Sequence, residues 1–290
     1  MTDRTAAPRT VLITGCSSGI GEATAARLSR AGWIVYATAR KPETLADLAT
    51  GGCRTLALDV TSEESMSSAI DTVLSETGRI DALVNNAGYS QSGAVETLDL
   101  NDVRRQFETN VFGLLRMCQL VLPSMREQGA GRIVNISSMG GRLVFPGGGA
   151  YHATKYAVEA LSDAMRFEVA GFGVKVVIVE PGLITTNFEN AAVASMEGND
   201  DGPYAEFNAE VAKATKEVYS GPMRRLGGGP DAVAKVIEKS LTARRPRIRY
   251  TVTPSAALSI RSRNLMGARG WDAMLKTQFP QPTGSEHPAD

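Results

Sequence analysis

Cysteine is scarce in this chain of 290 residues, and Cys16, Cys53 and Cys118 stand far apart. No two have the spacing of a metal site or redox motif, so reduced thiols and a cytoplasmic setting are expected. Net charge is also missing, with 31 basic residues against 31 acidic ones. That removes support for nucleic-acid binding as the main activity. The local cluster Arg244, Arg245, Arg247 and Arg249 reads as solvated surface. The opening stretch, MTDRTAAPRT, lacks the apolar core of a signal peptide. No run of about 18 apolar residues occurs, so no membrane-spanning helix is expected. No internal repeat and no second domain is visible. What is present is 43% hydrophobic residues, enough for one large buried core.

Those apolar residues are grouped in short runs separated by helical patterns. Residues 10–14 read as a buried strand, followed by Gly15, Cys16, Ser17, Ser18, Gly19, Ile20 and Gly21, then a helix over 22–31. A strand, a glycine-rich turn and a helix N-terminus form a cradle for a phosphate. A second strand over 33–38 ends at Ala39, Arg40 and Lys41. In dinucleotide folds this end meets the adenosine ribose, and no acid stands there to bind the ribose hydroxyls. A third strand, 54–58, is closed by Asp59 and Val60. The run 61–64 reads as a capping box opening a helix to about residue 77. A fourth strand, 80–84, leads into Asn85, Asn86, Ala87 and Gly88. A long helix is expected over 99–127, with Asn110 in its middle; alone, that residue reads as a solvated polar side chain. A fifth strand runs to Ser138, a helix covers 150–171, and a sixth strand, 174–179, precedes Glu180, Pro181 and Gly182.

Residues 183–228 break the rhythm with Phe188, Met196, Tyr204, Phe207, Tyr219 and Met223 among polar residues. An insertion after a strand's carboxyl end reads as a substrate lid. A helix at 230–241, a seventh strand at 248–252, a short helix at 271–276 and a polar tail complete the expectation. The 255–290 stretch is a C-terminal extension. Nearly continuous apolar strands alternating with helices imply an α/β, Rossmann-type doubly wound parallel sheet of about seven strands in a single domain. The glycine turn, Asn86, Ser138 and Pro181 all follow strands, so one edge of the sheet collects them.

Tyr151 and Lys155 lie four residues apart, hence on one helix face. A phenol ordinarily ionises near pH ~10, and an ammonium within reach draws that value down. Ser138 can donate a hydrogen bond to the same substrate oxygen. The trio suits proton transfer at a carbonyl or alcohol oxygen. With 7 Tyr and 8 Lys, chance supplies roughly 0.2 such pairs, so the surrounding motifs carry the weight.

Taken in order, the motifs Thr14-Gly-x-x-x-Gly19-x-Gly21, Asp59, Asn85-Asn-Ala-Gly88, Asn110, Ser138, Tyr151-x-x-x-Lys155 and Pro181-Gly182-x-x-x-Thr186 resemble the short-chain dehydrogenase/reductase family. The resemblance spans about residues 10–255. It implies Tyr151 as acid/base and Lys155 as the group that lowers its pKa and holds the nicotinamide ribose. It implies Ser138 on the substrate oxygen and Asn110 on a water leading from Lys155, which overrides the solvated reading of that side chain. Thr14, Gly15, Ser17, Ser18, Gly19, Ile20, Gly21, Arg40, Asp59, Val60, Asn86, Ala87, Gly88, Tyr151, Lys155, Pro181, Gly182, Ile184 and Thr186 would line the cofactor site. Residues 35–40, 110–116, 180–182 and 186–188 resemble the hydroxysteroid and retinol dehydrogenase branch. The expected activity is an NADP(H)-dependent interconversion of an alcohol with a ketone or aldehyde on a steroid-, retinoid- or lipid-like substrate, with NAD(H) as the alternative cofactor. A 3-oxoacyl-type reductase and a non-catalytic dinucleotide-binding regulator are the rival readings. Family habit implies a homodimer or homotetramer.

Overall fold

Strands buried on both faces must be apolar along their whole length; the described residues form seven strands, of which the two at the edges of the sheet are partly exposed. They are β1 (Thr10–Ile13), β2 (Ile34–Ala39), β3 (Arg54–Ala57), β4 (Ala82–Asn85), β5 (Gly131–Ile136), β6 (Val174–Glu180) and β7 (Arg249–Thr251). The computed structural model describes residues 8–186 and 202–282. Phe188, Met196 and the polar tail from residue 283 lie outside the described residues. The strands form one sheet in the order β3-β2-β1-β4-β5-β6-β7, and every pairing is parallel. The chain order reverses between β1 and β4, which opens a crevice at their carboxyl ends.

The connecting helices are α1 (Gly19–Arg30), α2 (Ala46–Thr50), α3 (Glu63–Thr77), α4 (Leu100–Phe107), α5 (Leu114–Glu127), α6 (Gly149–Glu168), α7 (Ala205–Ser220), α8 (Pro230–Thr242) and α9 (Pro254–Leu275). Alternate strand residues feed two core layers. Val11, Ile13 and Val35 pack in one layer with Leu28 of α1 and Ile237 of α8. Leu12, Tyr36 and Leu83 pack in the other with Val73 of α3, Met117 of α5 and Val158 of α6.

Four local expectations change. Helix α1 begins at Gly19, so the last part of the glycine turn is already its first turn. The residue capping α3 is Ser62, which accepts from the Ser65 amide at 3.3 Å; Thr61 is instead bonded to Asp59 Oδ1. The single helix expected over 99–127 is interrupted by a π-turn, Glu108–Gly113, that contains Asn110. The C-terminal helix expected at 271–276 starts at Pro254 instead. Its middle has little apolar periodicity because most of it faces solvent, but Thr253 as cap and Pro254 in the first turn mark its start.

The π-turn lies where the helix crosses the loop after β3. A Cβ on Gly113 would fall 2.4 Å from the Val60 carbonyl oxygen, a backbone atom that cannot swing aside. The close approach places the Asn110 segment against the site. Gly113→Ala is therefore expected to destabilise the protein by about 1–3 kcal/mol. Urea unfolding checks this; a variant as stable as wild type would show that the crossing is not tight.

Candidate active site

The crevice begins at the glycine turn. Gly15 and Gly19 have φ of 71° and 64°, a region that disfavours other residues. Gly21 has no room for a side chain, since a Cβ would lie 2.2 Å from the Gly15 carbonyl oxygen. Ser18 is extended at the start of α1 and its side chain makes no capping bond. The first-turn amides are thus presented to an anion. Thr14 Oγ1 accepts from the Asn86 and Ala87 amides, both at 3.0 Å. In return, Asn86 Nδ2 donates to the carbonyls of Thr14 (3.0 Å) and Gly15 (2.8 Å). The Asn86 side chain therefore holds the glycine turn in place.

A cavity of about 1320 Å³ runs from this turn across the carboxyl edge of the sheet. It brings together Gly15, Ser17, Ser18, Gly19 and Ile20 with Arg40, Asp59, Val60 and Asn86 to Gly88. It also reaches Ser138, Tyr151, Lys155, Pro181, Gly182, Ile184 and Thr186. Three expected residues stand behind the wall: Thr14 and Asn110 are buried to 1% exposure, and Gly21 is buried as well. Asp59 keeps Oδ1 on the Thr61 amide and hydroxyl, at 2.9 and 2.8 Å.

The proton-transfer trio forms the floor of the cavity. Ser138 Oγ accepts from the Gly140 amide at 3.0 Å, and its hydroxyl is hydrogen-bonded to the Tyr151 phenol. Burial pushes the phenol's pKa well up, and the Ser138 bond opposes that rise. At neutral pH the phenol therefore carries its proton. Lys155 Nζ donates to the Ile136 carbonyl at 2.9 Å and lies 5.7 Å from the centre of the Tyr151 ring. Burial lowers its pKa to about 8, with the charge of Glu159 opposing. Asn110 Nδ2 donates to the Tyr89 carbonyl (2.8 Å) and Thr154 Oγ1 (3.1 Å), while its Oδ1 accepts from the Tyr89 amide (3.0 Å). It ties the π-turn to the loop after β4 and to α6.

Several functional neighbours escaped sequence reasoning. His152 Nε2 accepts from the Phe145 amide at 3.2 Å, which places the ring proton on Nδ1, 3.1 Å from the Gly140 carbonyl. The ring thus staples the 139–149 loop beside Tyr151. A Cβ on Gly140 or Gly148 would lie 2.3 or 2.6 Å from that ring. Below α6, Arg249 binds Glu159 at 2.9 Å and Asp163 at 2.6 Å. Buried Glu180 accepts from Arg142 at 3.0 Å and the Thr251 hydroxyl at 2.8 Å. These pairs join α6, β6, β7 and the loop after Ser138. The available signals were Glu159, one turn beyond Lys155, and an acid, Glu180, directly after the apolar run 176–179. Trp271 of α9 donates to the Val144 carbonyl at 3.1 Å and packs on Phe145, with ring centres 5.7 Å apart.

A glycine cradle at a helix N-terminus, joined along one crevice to a serine, a tyrosine and a lysine, has the parts of a dinucleotide-dependent oxidoreductase. Residues 9–197 match the family described as short chain dehydrogenase. The chain is 39% identical over 249 residues to the 3-ketodihydrosphingosine reductase of Bacteroides thetaiotaomicron, covering 85% of this chain and 88% of that one. It is 34% identical to retinol dehydrogenase 8 of Bos taurus, covering 93% of each. A crystal structure of a short-chain dehydrogenase from Streptomyces avermitilis superposes with a TM-score of 0.78 at 36% identity, covering 94% of this chain and 96% of that one. The protein belongs to the short-chain dehydrogenase/reductase family and is an oxidoreductase acting on CH–OH groups with a nicotinamide dinucleotide as hydride acceptor.

The His152 bonds have a measurable consequence. Burial lowers its pKa to about 4 from an ordinary value near ~6.5, so the unfolded chain binds this proton more readily. Its contribution to stability is complete above pH ~6.5 and is lost as pH falls toward 4, by about 3 kcal/mol. His152→Gln should be less stable at pH 7 and should flatten this acid limb in urea titrations. An unchanged acid limb in the variant would contradict the assignment.

Proposed function

We propose that the enzyme uses NADP(H) to interconvert an alcohol and a ketone or aldehyde on an apolar, steroid-, retinoid- or lipid-like substrate. The observation that carries the cofactor choice is the end of β2. Ala39 is buried to 6% exposure and leaves no carboxylate against the ribose, so nothing there repels a 2′-phosphate. Arg40 follows on the cavity wall, and its guanidinium has no hydrogen bond or ion pair among the described residues. A guanidinium in that position offers a phosphate a planar fork of donors. Lys41 adds an exposed charge.

The substrate reading rests on the other end of the cavity. Phe145, Val211, Val218, Met223, Leu258 and Trp271 make that wall mostly apolar. The relatives named above for a ketodihydrosphingosine and a retinol agree with such a wall. Helix α7, within the 183–228 excursion, supplies Val211, Ala214, Val218 and Tyr219 and forms one side of it. Exposed Leu100 and Phe112, on the α4–α5 stretch, support assembly into a homodimer or homotetramer. Three buried free thiols support a reducing, cytoplasmic setting. Among the described residues no helix is long and apolar enough to cross a membrane.

A nicotinamide dinucleotide held in the crevice would give the hydride in reduction and accept it in oxidation, while the chain's own groups handle the proton. Tyr151 Oη gives its proton to the carbonyl oxygen during reduction and takes it back during oxidation. Ser138 orients that oxygen by a hydrogen bond. Lys155, held by the Ile136 carbonyl, keeps a positive charge close to the phenolate that reduction leaves. The Gly15–Gly21 turn and Thr186, which closes on Gly19 with a methyl 3.3 Å from the site of its absent Cβ, would hold the dinucleotide between them.

The cofactor assignment is tested by kcat/KM with NADPH and NADH. Wild type should favour NADPH by about 10-fold to 100-fold, the effect of one charge-assisted contact. Ala39→Asp with Arg40→Leu should move the preference toward NADH. A wild-type enzyme that prefers NADH would refute the NADP(H) reading and leave the dehydrogenase itself intact.

A further inference from the structure

Helix α9 carries a feature that hydride transfer does not use. Its backbone breaks at Gly267, where φ is 63° and ψ is −171°, and the chain then turns back so that Trp271 is buried to 4% exposure. Residues 264–269, which form the elbow, are all exposed. Its tip is apolar: Leu265 is 88% exposed and Met266 45%. An elbow made only to return the chain would carry polar residues, because exposed Leu and Met gain nothing from water.

The surroundings of the tip are cationic. Arg261, Arg263 and Arg269 flank it, and residues 254–271 contain no Asp or Glu. None of the three arginines has a hydrogen bond or ion pair among the described residues. The same helix lines the large cavity through Leu258, Ser259 and Ser262, and Leu258 is 55% exposed. One turn of α9 thus separates the cavity wall from the apolar tip. A second copy of this chain on a two-fold axis would bring arginines against arginines, which opposes self-association through this face. An anionic lipid surface satisfies both halves of the pattern: acyl chains take Leu265 and Met266, and headgroup phosphates take the arginines.

We propose that the α9 elbow is a docking site for an anionic lipid surface. Docking there sets the apolar end of the cavity beside the bilayer, so that the apolar substrate of the proposed function, on which this step rests, enters without crossing water. The contact is interfacial and reversible, and it involves no membrane span.

The test is co-sedimentation of the full chain with vesicles, without cofactor or substrate, so its outcome is independent of the proposed activity. The probes are vesicles of phosphatidylcholine alone and of phosphatidylcholine with phosphatidylglycerol. Binding is expected to the anionic vesicles, to be about tenfold or more weaker on neutral ones, and to fall with salt. Leu265→Ser with Met266→Ser should weaken binding, and Arg261→Glu with Arg269→Glu should abolish it. Thermal melts and turnover of a water-soluble ketone should remain at wild-type values in both variants, which separates lost docking from lost folding. Equal binding to both vesicle types, no binding to either, or unaltered binding by the charge-reversed variant would overturn the proposal. So would variants that change the oligomer mass in solution and leave vesicle binding as it was.

Discussion

The site depends on two loops being locked together at the carboxyl edge of the sheet. Strands β1 and β4 are neighbours, and the turns that follow them would diverge without a tie, because their helices leave on opposite faces. Thr14 and Asn86 supply the tie with four hydrogen bonds, two in each direction. The bonds need very close backbone approach, which only glycine permits: a Cβ at Gly15 would lie 2.8 Å from the Ala87 Cα. The cradle geometry, its open amides and the start of α1 all follow from that contact. Glycine is required here by steric contact with neighbouring backbone as well as by the turn's dihedral angles.

A second constraint acts on α6. Lys155 is buried, and an ammonium removed from water must be compensated. The Ile136 carbonyl and the nearby Glu159 provide this, and Glu159 is in turn held by Arg249. The same arrangement fixes the helix against β5, where Ser138 follows, so the electrostatics and the positioning have one origin. Burial holds Tyr151 in its protonated form, the form that donates to a carbonyl oxygen. His152, facing the other way, secures the loop that forms the wall of the substrate end.

Much of this was legible in the chain. Apolar runs at strand length placed the seven strands, and their continuous apolarity indicated a parallel sheet. The strand-end positions of Gly15, Asn86, Ser138 and Pro181 group them at one edge of the sheet. Other parts were hidden for physical reasons. The bonds by which Asn86 holds the glycine turn were hidden because spacing does not show which way a side chain is held. The π-turn at Asn110 was hidden because apolar spacing tolerates one residue of slip. Helix α9 was missed because an exposed elbow has no buried stripe to produce a period. The Arg249 cluster joins residues 142, 159, 163, 180 and 249, a proximity that only the folded topology creates.

The proposed function requires that Tyr151 move the proton while the glycine cradle binds the dinucleotide independently. The most direct test measures turnover and dinucleotide affinity together in Tyr151→Phe, which keeps the ring and deletes the hydroxyl. The rate is expected to fall by about 10²–10⁴-fold with dinucleotide binding and thermal stability retained. A Tyr151→Phe enzyme turning over at near wild-type rate would contradict it.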